Sequence, residues 1–162
     1  MATNGSFICM AGLGRHRYYV SLPAANDALV LAFLQPTGQQ DDDALRDNLT
    51  FAALFATSTG NKECTAPGYA RQLITSGTSE TPDYVNNRVD STVPTRLFPG
   101  LGAMTGTNAK QDQAALLLGY QPDTTSGSDA TIQLIGKAYY PFVADGTDRQ
   151  VTFPSNLLRA AG

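Results

Sequence analysis

At 162 residues and 17.2 kDa, the chain has the length of one domain able to bury a core without disulfide or metal staples. A net charge of −3 and a pI of about 4.9, without clustered Lys and Arg, exclude an electrostatic footprint for nucleic acid. Hydrophobic residues reach 42% while charged residues stop at 15%, against a usual share of about a quarter, so the surface is built on hydroxyls and amides and tolerates close neighbours.

In chain order, "SFICMAGLG" (6–14) is apolar but short and has no basic stretch before it, so it is not read as a secretory signal. No run approaches the ~18 apolar residues of a membrane span. The expectation is synthesis in a cytosol, with no membrane partner and any outer surface reached by assembly or lysis. "GLG" (12–14) lacks the third glycine of a dinucleotide fingerprint and reads as a bend. "RYYVSLPAANDALVLAFLQ" (17–35) reads as strand on either side of Pro23, and its second half, from Ala28, as a buried strand stopped by Pro36-Thr37-Gly38.

The stretch 41–60 carries the one helix, expected over about 42–58. Asp41, Asp42 and Asp43 supply a capping oxygen and negative charge at the positive end of the helix dipole, which accounts for them without a metal. Leu45, Leu49, Ala52, Ala53 and Ala56 recur at helical spacing and form the packing face. "YARQLIT" (69–75) is a strand, "TSGTSETPD" (75–83) a loop, and 84–98 two short strands separated by turn chemistry. "PGLGAMTGTN" (99–108) is a loop and "QAALLLGYQ" (113–121) a central strand. Strands follow at 130–143 and 149–154, and the apolar tail 155–162 is placed to dock on the sheet. Short strands, Gly/Pro/Asn turns and one helix give a mainly β chain: a single antiparallel β-sandwich or barrel-like domain over 1–162, with one amphipathic helix.

The chemistry-bearing residues are sparse. His16 is the only histidine, so a Ser-His-Asp triad or a zinc site with Cys9 and Cys64 would have to use it. No GxSxG stands near it, and the two cysteines are far apart and outside any CxxC spacing. "PDTTSGSD" (122–129) does not supply the closely spaced oxygens of a calcium loop, and Asp123 and Asp129 fit a hairpin tip better. No Trp is present to stack a sugar; Tyr18, Tyr19, Tyr69, Tyr139 and Tyr140 could substitute, and "AYYPF" is the best candidate contact patch. Neither a cofactor nor a metal is expected.

The order of segments carries more than any one motif. The "D-x-L-x-D" helix at 43–47, "YARQLIT", "VNNRVD" and the late hairpin formed by Leu116, Leu117, Tyr120, Asp123, Thr124, Gly127, Asp129, Ile132 and Leu134 follow one another as in a known group. Over roughly residues 18–160 the chain resembles small structural proteins of tailed bacteriophages, those of actinobacterial hosts above all. Ser128 stands where that group commonly has Thr, and Pro122 ahead of Asp123 is a second departure.

The resemblance implies a virion component without enzymatic activity, foremost a capsid decoration or minor head protein. The major capsid protein or tail proteins of the same virion would be its partners, and it would be homo-oligomeric within the assembly. A tail or tail-tip accessory protein is the alternative, and a host-surface glycan-binding module is the alternative of another class. Candidate contact residues are Arg15, His16 and Arg17, Asp123 and Asp129 at the loop tip, and Tyr139 with Tyr140.

Overall fold

The computed structural model describes residues 5–35, 37–102, 113–153 and 158–161. In chain order the elements begin with β1 (Phe7–Ile8), α1 (His16–Val20), β2 (Ala28–Leu34), α2 (Asp42–Arg46), α3 (Phe51–Leu54) and β3 (Gln72–Ile74). They continue with β4 (Ser79–Asp83), β5 (Arg88–Thr92), β6 (Arg96–Phe98) and β7 (Gln113–Gln121). Last come β8 (Gln133–Phe142), β9 (Arg149–Val151) and β10 (Leu158–Ala161). Single 3-10 turns lie at Met10–Gly12 and Thr57–Thr59. No described helix is long and apolar enough to cross a membrane.

The chain is mainly β with antiparallel pairing, as its sequence leads one to expect. A five-stranded sheet in the order β1-β8-β7-β2-β3 forms the middle of the molecule. Strand β2 lies between the middle strand β7 and the edge strand β3, pairing with β7 over its whole length and with β3 at Leu29, Val30 and Leu31. Every residue of β2 is buried, because both faces of the sheet are covered. Leu29, Leu31 and Phe33 enter one core with Leu116, Leu118, Ile135, Phe98 and Val151. Val30, Ala32 and Leu34 enter the other with Leu117, Leu134, Leu45, Phe51 and Leu54. The period-2 alternation of a strand thus distributes one apolar run between two layers. The helices α2 and α3 supply one cover; α1 and the β6–β9 ribbon supply the other.

Two close approaches depend on glycine. A Cβ on Gly119 of β7 would lie 2.8 Å from the Phe51 ring, so its absence lets α3 settle onto the sheet. In "GLG", a Cβ on Gly12 would stand 2.4 Å from Ile135 O, and Gly14 takes φ +70°, so the motif is a packed bend.

The helix expected over 42–58 is broken into α2 and α3. Asn48 Nδ2 donates to the carbonyls of Ala44 and Leu45 at 3.2 and 3.0 Å and ends the first helix. Leu49 O then accepts from Leu134 N–H at 3.0 Å, and Phe51 N–H donates to Ile132 O at 3.0 Å. Sheet-type partners on the β8 side therefore outcompete helix continuation, leaving Leu49 exposed, and Thr50 restarts the helix by accepting from Ala53 N–H. The triple Asp also divides its work. Asp41 caps, Asp43 faces water, and buried Asp42 binds Lys137.

Other expectations shift for similar reasons. "RYYV", read as strand, is helical in α1. Part of "TSGTSETPD", read as loop, is β4, held by pairing with β5. The strands expected at 69–75 and 149–154 shorten to Gln72–Ile74 and Arg149–Val151. The tail pairs through β10 with β5 rather than with the main sheet. Pro36, residues 103–108 of the expected loop and Pro154 lie outside the described residues.

Phe33 stands where the main cluster converges, its ring centroid 4.3 Å from Phe98 and 4.6 Å from Phe142. Phe33→Ala is expected to lower the unfolding free energy by about 3–5 kcal/mol. Urea denaturation would read this as a lower midpoint at unchanged slope. A loss under about 1 kcal/mol would show that the cluster collapses into the gap.

Candidate functional site

The loop that holds Asp123 is closed on itself. Its carboxylate accepts from Thr125 N–H at 2.8 Å, from Thr125 Oγ1 at 2.6 Å and from Ser126 Oγ. These bonds, the one from Ser126 foremost, pull the Asp123 carboxyl down to about 2. Thr124 fastens the loop to Asn26 O through both its N–H and its hydroxyl. Asp145 repeats the arrangement with Thr147 and adds Arg149 at 3.0 Å. Each carboxylate thus braces its own turn. Among the described residues, no group of three or more His, Cys, Asp and Glu is placed to hold a metal ion.

Asp129 does not join Asp123. It belongs to a cluster that sequence spacing could not reveal. Arg71 forks onto two carboxylates, meeting Glu63 through Nε and a terminal nitrogen at 2.8 and 2.7 Å, and Asp129 at 2.5 and 3.0 Å. The guanidinium also lies 5.1 Å from the Phe51 ring centroid. Tyr69 donates to Glu63 Oε1 at 2.8 Å and accepts from Phe33 N–H at 3.1 Å, tying the cluster to β2. Arg71 holds the Asp129 carboxyl below its usual range, and the hydrogen bonds to Glu63 and Asp129 raise Arg71 in turn. A cleft of about 400 Å³ opens beside it, lined by Gln35, Asn61, Lys62, Glu63, Thr65 and Asp129 among others. A carboxylate pair for glycoside hydrolysis needs one member protonated. Asp129, held below its usual range by Arg71, is not poised to supply that proton, and the shared guanidinium binds the segments together.

The remaining candidates separate. Arg17 reaches β4, its Nε 2.8 Å from Glu80 Oε2. His16 turns inward, with neither ring nitrogen bonded among the described residues. Arg15 is exposed. Cys9 and Cys64 are free thiols in different cores, so a metal site joining them to His16 is not assembled. Burial pushes the Cys9 thiol up to about 12, which leaves it unreactive. Tyr139 and Tyr140 point to opposite sides of β8, as strand neighbours must. Tyr139 is exposed; Tyr140 packs on Phe33 and Phe142 and donates to Gln150 O at 2.9 Å. They do not make one platform.

The β4–β5 hairpin supplies a feature that the sequence reading passed over. Its turn is built by Asp83, which accepts from Asn86 N–H and Nδ2 at 3.1 and 2.8 Å, and by Asn87 at φ +49°. Between them Tyr84 is 89% and Val85 93% exposed, the most open of the large apolar side chains described. The available signal was "YV" directly ahead of "NN", which puts apolar residues in the turn and not in the strand. No family model, no curated protein and no solved structure matches the chain.

The two ion pairs behave differently under mutation. Asp129→Asn is expected to cost about 1 kcal/mol at pH 7, discounted because its side chain is 42% exposed. A depressed folded pKa means that this stabilisation is full above the ordinary carboxylate range and is lost as pH falls through the lowered value. Urea curves of wild type and variant should therefore converge on acidification. Lys137, whose side chain is 0% exposed, lies 2.8 Å from Asp42 Oδ1. Lys137→Met should cost about 3–5 kcal/mol, because Asp42 is left buried without its cation. A midpoint unchanged from wild type would show that water reaches Asp42.

Proposed function

We propose that this chain is a non-enzymatic structural subunit of a tailed-bacteriophage virion that decorates the capsid lattice. The observation that carries the reading is the β4–β5 hairpin, which presents Tyr84 and Val85 to solvent on a turn braced by Asp83. An isolated chain has no use for a braced apolar tip, and exposed aromatics of this kind anchor contacts between proteins. The resemblance across residues 18–160 supports the same reading, as does a surface with few charges to desolvate.

Decoration works through repetition. Each subunit contributes small contacts to the major capsid protein and to its own copies, and the lattice converts them to avidity that one contact lacks. The hairpin suits this role mechanically. Its base is anchored by β10 on one side and by the Arg17–Glu80 pair on the other, so the tip is presented in a defined direction.

Quantitative mass spectrometry of purified particles tests the reading. The expected outcome is a copy number in simple fixed ratio to the major capsid protein. A few copies per particle would reassign the chain to the tail or a vertex, and its absence from particles would sink the virion reading.

A further inference from the structure

We propose that the polar cleft beside Arg71 is a binding site for a neutral sugar, a pyranose unit of a glycan. The cleft measures about 400 Å³, and its wall includes Gln35, Phe55, Lys62, Glu63, Thr65 and Asp129. Small-molecule sites span roughly 300–1,000 Å³. The chain builds this one where β2 ends. Gln35 N–H donates to Lys62 O at 2.8 Å and Leu34 bridges to Glu63, so residues 62–65 run beside the end of the strand. Arg71 then draws Asp129 from the β7–β8 loop to the same guanidinium that holds Glu63.

Gln35 is only 3% exposed. Its Nε2 donates to Glu63 O at 2.8 Å and to Thr65 Oγ1 at 3.3 Å, while its Oε1 makes no hydrogen bond among the described residues. A nearly buried amide oxygen in a cleft wall calls for a donor from outside. Asn61, buried in the same wall, is spent on the fold. It accepts from Gln40 N–H at 2.9 Å and donates to Gln40 Oε1 and Leu54 O at 2.7 and 2.9 Å. Glu63 Oε2 and both Asp129 oxygens each accept one bond from Arg71 among the described residues, and a carboxylate oxygen has room for a second. Lys62 and Thr65, both exposed, add an ammonium and a hydroxyl.

The fitting ligand brings several donors, some acceptors and no net charge. Two cations, Lys62 and Arg71, stand against two carboxylates, Glu63 and Asp129. An anion would meet the carboxylates, and a cation would compete with the guanidinium that already forks them. No group of three or more His, Cys, Asp and Glu is placed to hold a metal ion among the described residues. Vicinal hydroxyls satisfy the pattern, because each both donates and accepts. Phe55 gives the apolar complement. Half-buried and held edge-on to Phe51 with centroids 5.8 Å apart, it offers a surface to the C–H face of a sugar ring. Asp129 also lines a second recess of about 180 Å³, with Thr124 and Ser128, into which a glycan can continue.

Nitrogen–proton NMR of the isolated full chain tests this, with D-glucose, D-galactose, D-mannose and N-acetyl-D-glucosamine as probes. At least one sugar should saturably shift the Gln35 side-chain amide and the backbone amides of Lys62, Glu63 and Thr65. The dissociation constant should fall in the millimolar range of a small ligand in an open cleft. Thr65→Val and Lys62→Met, at exposed positions, should each weaken binding several-fold while the rest of the spectrum reports an unchanged fold. Thr65→Ser keeps the hydroxyl and should bind as the wild type does. Silence from all the sugars would overturn the proposal. So would saturable shifts that map away from the cleft, or full binding by both Thr65→Val and Lys62→Met. Calcium chloride moving the same amides in place of the sugars would make this a cation site and overturn it equally. The chain is tested alone, so the outcome is independent of the virion reading, on which this site does not rest.

Discussion

Strand β2 has no face turned to water, and the rest of the molecule follows from that constraint. An antiparallel sheet often leaves one side solvated. Here a run of seven apolar residues forms an interior strand of the sheet, so each face must be roofed. Each large side chain buried there contributes about 1.5–3 kcal/mol, and both layers draw on the same strand. The helical layer supplies Leu45, Phe51 and Leu54; the opposite layer supplies Phe98, Leu101, Val151 and the Tyr19–Tyr120 stack at 4.7 Å.

Covering a sheet on both sides requires polar ties at the margins, because the roofing segments are short and have little regular structure of their own. Three such ties recur. Lys137 and Asp42 join β8 to α2, and Arg71 joins the approach to β3 to Glu63 and to the β7–β8 loop. Tyr120 donates to buried Asp27 at 2.9 Å, fastening β7 to the turn before β2. Lys137–Asp42, Arg71–Asp129 and Tyr120–Asp27 pair residues 95, 58 and 93 positions apart, and the first and last satisfy buried polar groups. In this setting Asp42, Asp27 and Asp129 each hold distant segments together.

What remains for function is the part of the surface that the ties do not consume. The loop tips around Asp123 and Asp145 use their carboxylates to brace their own turns. The β4–β5 hairpin instead spends its Asp and Asn residues on holding a turn whose other residues are apolar and open. That tip, Tyr84 with Val85, is the most open apolar surface among the described residues.

The sequence by itself determined the strand-rich character, the buried run of β2, the long strand at 113–121, and the loop-tip nature of Asp123. Each rests on local rules: period, turn chemistry and side-chain hydrogen bonds within a few residues. Only the tertiary structure decided where the expected helix breaks, because the backbone groups of residues 49–51 find partners across the molecule near β8. It also decided that Asp129 belongs to Arg71, 58 residues away, that Asp42 is buried against Lys137, and that Tyr139 and Tyr140 part company. Spacing along the chain carries no information about pairs whose distance is set by packing. For the same reason the sequence placed the candidate contact residues on three local clusters, while the most exposed apolar tip among the described residues emerged only from the packing of the hairpin.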